Sequence, residues 1–191
     1  MTTTTKPAMT SEKVSLLATL ADRRQFLILT SRDLTEEQAR SKPTASELCI
    51  GGIIKHVASA EDTWARFITD GTAAFGDADW TSVDFASIDV ADPSTVPDFV
   101  LERMDQFVMH EDETLAHVVH RYAEAARRTE AVVAGLDSLD VRHDLPPAPW
   151  NEPGATRSAR DVLLHLIGET AQHAGHADII RETIDGQKSM G

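Results

Sequence analysis

Residues 165–182, HLIGETAQHAGHADIIRE, combine Glu169 and three histidines with the periodicity of a helix. Glu169 and His173 are four residues apart. With Glu169 at zero on a helical wheel, His173 lies at about +40°, and His176 and His165 lie at about −20° and −40°. Imidazole nitrogens and carboxylate oxygens are common ligands of divalent metals, so this stripe predicts half of a metal site.

The stripe faces the predicted core of the protein. Val162 and Ile180 lie at about +20° on the same wheel, between Glu169 and His173. An ionised carboxylate in such a position is costly unless it is paired or binds a metal. The Glu169 carboxylate therefore needs a paired side chain or a bound metal.

His56 occupies a similar position on an earlier predicted helix, where it shares an arc with Ile53, Ala60 and Phe67. Two polar side chains four residues apart, with one more from a facing helix, form metal sites in helix bundles. Three protein ligands with an open fourth position are typical of catalytic Zn²⁺. Ni²⁺ and Fe²⁺ are the alternatives for this donor set.

Each of these residues also has a simpler interpretation. His56 could be a hydrogen-bonded core histidine, and Glu169 could be paired with an arginine. If Glu169 is not a ligand, His56, His173 and His176 form the next arrangement to consider. The conjunction of three such residues on two helices favours the metal site.

Four long helices are predicted to position these residues. Periodicity and capping residues predict that helix one begins near Ser11, helix two covers about 51–70 and helix three covers about 112–136. Helix four is predicted to run from Ser158 to about Ile184, with Gly186 as its C-terminal cap. The connections 71–98 and 144–157 lack periodicity, apart from a short helix near Val96, and no alternating strand is evident. The pattern predicts an all-α, antiparallel four-helix bundle with long connections after helices two and three. The expected core-facing seam of helix one is Val14, Leu17, Ala21 and Ile28.

The 191 residues suit a disordered tail over 1–10 and a single domain over 11–191. The formal net charge of −13 disfavours nucleic-acid binding. Cys49 is the only cysteine, which excludes an intrachain disulfide and a thiolate zinc cluster. Without an apolar segment for a signal peptide or a membrane span, we expect a cytoplasmic protein that does not bind membranes.

Two segments, GGIIKHVASAEDTW and LLHLIGETAQHAGHADIIRETIDG, resemble the DinB-like (YfiT-type) metalloprotein superfamily. The entry into helix two, LTEEQARSKPTASELCIGGIIKHV, is similar to that of its actinobacterial branch of domains of unknown function. The resemblance extends over about residues 11–186. It implies a four-helix bundle whose divalent metal is bound by His56, Glu169 and His173, a pattern similar to that of mycothiol-dependent maleylpyruvate isomerase.

The resemblance also implies a function, because several relatives are S-transferases or isomerases that use a low-molecular-weight thiol such as mycothiol. We therefore expect a thiol and a small electrophile as partners. His176 is expected to contact the substrate as a catalytic residue, with ligation as the alternative. Arg157 and Arg160 are expected to bind a carboxylate of the thiol or substrate, or else to form surface salt bridges.

Three functions remain open at this point. The first is a metal-dependent thiol S-transferase or isomerase, the second a non-catalytic metal- or ligand-binding bundle of a stress response, and the third a metal-dependent hydrolase. A homodimer through helices one and four is a further expectation.

Overall fold

Four long helices form the bundle in the computed structural model, which describes residues 9–89 and 92–189. The predicted disordered tail lies outside these residues, except for Met9 and Thr10. Six α-helices are present in the described ranges, and two of them are short. They are α1 (Ser11–Leu29), α2 (Glu36–Arg40), α3 (Ile50–Asp70), α4 (Asp98–Asp105), α5 (Leu115–Gly135) and α6 (Ala159–Asp185).

The long helices pack as the all-α bundle that the sequence predicts. Helix α3 contacts both α5 and α6, and α1 packs along α6. One buried cluster contains Leu27, Ile53 and Tyr122, and a second contains Phe67 and Leu163. The helices α3 and α6, which carry the predicted metal ligands, are therefore direct neighbours.

The buried face of α1 differs from the predicted seam. Val14 is 52% exposed, whereas Lys13 and Arg24 are buried together with Leu20 and Leu27. Lys13 donates to the carbonyl oxygen of Leu136 through Nζ. The predicted seam was wrong for Val14 and Ala21, which are exposed, whereas Leu17 and Ile28 pack against the buried clusters as expected. Apolar periodicity cannot identify buried charged residues whose partners lie on other elements.

The buried Arg24 joins α1 to α3 through the fully buried Glu61. The guanidinium Nε donates to Glu61 Oε2 at 3.0 Å, and Nη1 donates to Glu130 Oε1 on α5 at 3.1 Å. Removal of one partner from such a pair is strongly destabilising, since it leaves an uncompensated buried charge.

A two-stranded antiparallel sheet is present where no strand was predicted. β1 (Arg142–Asp144) pairs with β2 (Thr156–Ser158), and His143 lies opposite Arg157. Arg157 was expected in a connection without strands, so this part of the prediction was wrong. Strands of three residues are too short to give a detectable alternation.

The termini of the last helix agree with the predicted capping residues. Ser158 and Asp161 form a capping box at the start of α6, and Gly186 adopts a left-handed conformation (φ 77°) after its end. The predicted third helix begins later than expected, at Leu115, where the Thr114 side chain accepts a hydrogen bond from the backbone N–H of His117. The connection after α3 contains three short 3₁₀ segments and α4.

No helix within residues 9–89 and 92–189 is both long enough and apolar enough to cross a lipid bilayer.

Candidate metal site

Glu169 lies between two imidazole rings in the centre of the bundle. Its Oε1 atom is 3.2 Å from Nε2 of His56 on α3 and 3.4 Å from Nε2 of His173 on α6. Both histidines are buried, and the two ring centroids are 5.0 Å apart. The structure therefore brings the three predicted ligands together.

The donor atoms of this trio fit a single metal ion. One ligand atom from each of His56, Glu169 and His173 lies within 4.8 Å of the other two. Two imidazole nitrogens and a carboxylate oxygen are the donor set of several catalytic Zn²⁺ sites. The Nδ1 atoms of both rings are buried and have no hydrogen-bond partner in the described part of the chain, so each ring makes its polar contact through Nε2.

The electrostatics of the trio favour an ionised Glu169 carboxylate and a neutral His56 ring. Hydrogen bonds with His173 and His56 hold the pKa of Glu169 well below its usual range. Burial lowers the pKa of the His56 imidazole, the hydrogen bond with Glu169 opposes this effect, and the positive charge of Arg103 adds to it. A neutral imidazole and an ionised carboxylate are the protonation states that bind divalent metals.

An aromatic wall, absent from the sequence prediction, covers one side of the trio. Phe107 stacks on the ring of His56, with centroids 3.8 Å apart and planes 17° apart, and its ring centroid is 5.9 Å from that of His173. Phe107 follows α4 in a segment without periodicity, so no sequence signal identifies it. The wall limits the directions from which water and ligands reach His56.

Lys55 fixes the segment that carries Phe107. Its Nζ atom donates to the carbonyl oxygen of Val108 at 2.9 Å and to Glu113 Oε2 at 3.0 Å. Gly51 and Gly52 pack closely beneath the same segment, because a Cβ on Gly52 would overlap the carbonyl group of Phe107. Residues 107–113, here called the strap, are thus bound to the first turns of α3.

On another side of the trio, Arg157 and Trp64 approach His165. The Arg157 guanidinium lies over the Trp64 ring at 4.8 Å, and the Trp64 and His165 ring centroids are 4.9 Å apart. Arg157 has no carboxylate within ion-pair distance in the described ranges, and its Nη1 atom is buried without a hydrogen-bond partner there. Hydrogen bonds from Ser158 lower the pKa of the Asp161 carboxyl, and the charge of Arg157 contributes to that shift at longer range.

His176 lies next to the trio without joining it. Its ring centroid is 5.4 Å from that of His173, and its Nδ1 atom is buried without a hydrogen-bond partner among the described residues. The alternative ligand set with His176 does not meet the same 4.8 Å criterion within those residues. His176 is therefore a neighbour of the trio through His173 and not one of its three members.

Arg160 points to a different set of residues. Its guanidinium forms ion pairs with Glu12 on α1 and with Asp140 in the connection before β1. Both partners belong to elements other than those that carry the trio. This is the surface salt bridge that the sequence analysis offered as the alternative for Arg160.

The other histidines make contacts outside the trio. His143 makes a 3.1 Å hydrogen bond through Nε2 to the carbonyl oxygen of Ile68, and His110 contacts Asp105 at 2.7 Å. His117 and His120 are exposed on α5.

The chain was compared with known proteins. A search of curated proteins finds no match. The family model described as mycothiol-S-transferase matches residues 15–186, which is nearly the whole chain. This match confirms the resemblance to the DinB-like superfamily, and the chain belongs to the mycothiol-S-transferase family.

Proposed function

We propose that this protein is a divalent-metal-dependent S-transferase that joins mycothiol, or a similar low-molecular-weight thiol, to a small electrophile. The observation that carries the proposal is the convergence of His56, Glu169 and His173 in a chain of the mycothiol-S-transferase family. Zn²⁺ is the metal that the donor set favours, with Ni²⁺ and Fe²⁺ as alternatives.

In this proposal the protein supplies the ligands and the surroundings of the reacting sulfur. A bound divalent cation lowers the pKa of a thiol that coordinates it, so that a thiolate is available at neutral pH. Glu169 holds the two imidazole rings in orientation through Oε1. Phe107 excludes water from the His56 side, which strengthens electrostatic interactions at the site.

Two further residues contact the ligands in this proposal. His176 is the catalytic residue that accepts or returns a proton beside His173. Arg157 binds an anionic or oxygen-rich group of the thiol or the electrophile, since its guanidinium lacks a carboxylate partner in the described ranges. The ion pairs of Arg160 leave that residue out of the proposed binding site.

The proposal is tested by metal analysis and thiol-conjugation assays on the purified protein. We expect about one divalent metal per chain and conjugation that is lost on chelation and restored by the metal. His56→Ala and His173→Ala should each lose metal and activity. His120→Ala, on the exposed face of α5, is the matched control and should retain both.

Other outcomes identify the alternatives. Retained activity in the His56→Ala/His173→Ala double variant would overturn the proposal. Turnover in thiol-free buffer would indicate a metal-dependent hydrolase, and bound metal without turnover would indicate a non-catalytic metal-binding bundle.

A further inference from the structure

A groove of about 860 Å³ lies between the α2–α3 connection and α4. Its apolar wall consists of Leu48, Leu101, Met104, Phe107 and Val108. Met104 is 43% exposed and Val108 is 37% exposed, so apolar surface is open to solvent there. Grooves of this size accommodate small molecules, and exposed apolar surface inside them favours ligand binding.

The groove shares one wall with the candidate metal site. Phe107 lines the groove and also stacks on His56 at a centroid distance of 3.8 Å. A molecule in the groove therefore lies one aromatic ring away from the trio. Lys55 fixes the backbone of this wall, and Phe107 and Val108 of the strap are among the residues that line the groove.

We propose that this groove is the subsite for the apolar body of the electrophile. The inference rests on the proposed function and adds the class of substrate: a neutral, apolar and preferably aromatic electrophile, whose reactive carbon extends past Phe107 towards the thiol. It assigns substrate specificity to α4 and the strap, which carry none of the metal ligands.

The charges around the groove favour a neutral occupant. Lys42, the cation in the lining, is paired with Glu47 at 3.0 Å. Glu102 and Asp105 add negative charge to the lining, and Lys55 offsets that of Asp105 at 3.6 Å. An anionic molecule would meet carboxylates and no unpaired cation among these lining residues, so the groove selects against it.

A pair of electrophiles tests the groove by kinetics. With 1-chloro-2,4-dinitrobenzene, the mycothiol sulfur forms a C–S bond, chloride leaves with the electron pair of the C–Cl bond, and the thiol proton is released to solvent. Met104→Gln should raise KM for this substrate about five- to tenfold, because an apolar contact is lost. KM for mycothiol and the kinetics with iodoacetamide, which is too small to fill the groove, should not change.

Ile179→Gln is the matched control, because Ile179 is 61% exposed on α6 and lies outside the groove lining. It should leave all kinetic constants unchanged. An unchanged KM for the chlorodinitrobenzene in Met104→Gln would overturn the proposal.

A binding measurement separates this inference from the proposed function. In protein labelled with ¹³C at the methionine methyl groups, unreactive 1,3-dinitrobenzene should shift the Met104 signal, which is assigned by its absence in Met104→Gln. A Met104 signal that shifts in a protein without transferase activity would support the groove and overturn the proposed function. A signal that stays in place at saturating dinitrobenzene, in a protein that conjugates the chloro compound, would overturn the groove alone.

Discussion

Glu169 is the residue on which the candidate site depends most. Its Oε1 atom contacts both ring nitrogens and so gives each buried imidazole a polar partner. A neutral glutamine would keep the shape but lose the charge that favours a divalent cation. The arrangement explains how a carboxylate is stable on the core-facing side of α6.

The pH dependence of stability reports on the half-buried His165. Burial lowers the pKa of the His165 imidazole, the charges of Arg157 and Arg103 lower it further, and Glu169 opposes them. The folded pKa is therefore below the unfolded value of about 6.5, and the unfolded chain binds more protons as the pH falls through this window. The free energy of unfolding should decrease there.

We expect the free energy of unfolding of the metal-free protein to fall between about pH 7 and pH 5.5, by at most about 1.4 kcal/mol per pH unit for each histidine that titrates. His165→Asn should reduce this slope, whereas His120→Asn, at an exposed position, should retain it. Urea unfolding at each pH measures both. An identical slope in His165→Asn and the wild type would contradict the assigned cause.

The site residues divide into those that local periodicity predicts and those that it does not. His56, Glu169 and His173 were predictable because helical spacing determines which side chains share a face, and the structure brings them together as expected. Phe107 and Lys55 were not predictable. Their positions depend on how an irregular segment packs against α3, and no local pattern encodes that contact.

At the scale of elements, the strap is positioned by small residues and by one lysine. Helix α3 presents Gly51 and Gly52 to the strap, and a Cβ on either would overlap Met109 or Phe107. Arg40 adds hydrogen bonds from α2 to the carbonyl oxygens of His110 and Glu113. The first turns of α3 thus bind the strap that covers His56.

Gly52→Ala should displace the strap from α3. The new Cβ would meet backbone atoms of Phe107, which cannot rotate away as a side chain could. We expect a loss of about 1–3 kcal/mol in the free energy of unfolding and weaker metal binding, measured by urea unfolding and competition with a chelator.

Gly168→Ala is the control for this prediction, since a Cβ on Gly168 of α6 meets nothing within 4 Å. It should stabilise the protein by roughly 0.5–1 kcal/mol, because alanine loses less conformational entropy in a helix. A Gly52→Ala variant as stable as the wild type would show that the strap is not held in this way.

The helices themselves illustrate the limits of the sequence prediction at this scale. The positions of α3 and α6 agree with it within one or two residues, because an apolar stripe defines α3 and a capping box and a glycine cap define the ends of α6. The face of α1 was predicted only in part: Leu17 and Ile28 pack against the core as expected, but Lys13 and Arg24 are buried by partners on other elements. The two short strands were missed because their pairing joins residues 12 to 16 apart in sequence, which no local pattern encodes.

At the scale of the whole molecule, the predicted homodimer stays a prediction. Val14 on α1 and Leu164 and Ile179 on α6 are exposed apolar residues on the two helices that were expected to pair with a second copy. The exposed faces of α1 and α6 could pair with those of a second copy if the interface buries enough apolar area. Sedimentation equilibrium of the purified protein would measure the oligomeric state.

Metal binding should stabilise the entire bundle, because the trio joins α3 to α6 and unfolding separates its members. A metal at about 100 times its Kd adds about 2.7 kcal/mol to the free energy of unfolding. For a chain of this length, that corresponds to a rise of roughly 5–10 °C in Tm. Thermal unfolding of chelator-treated protein with and without added Zn²⁺ measures the rise. His173→Ala should show almost none of it, whereas His117→Ala, exposed on α5, should show the full effect. An equal rise in His173→Ala and the wild type would place the metal elsewhere in the molecule.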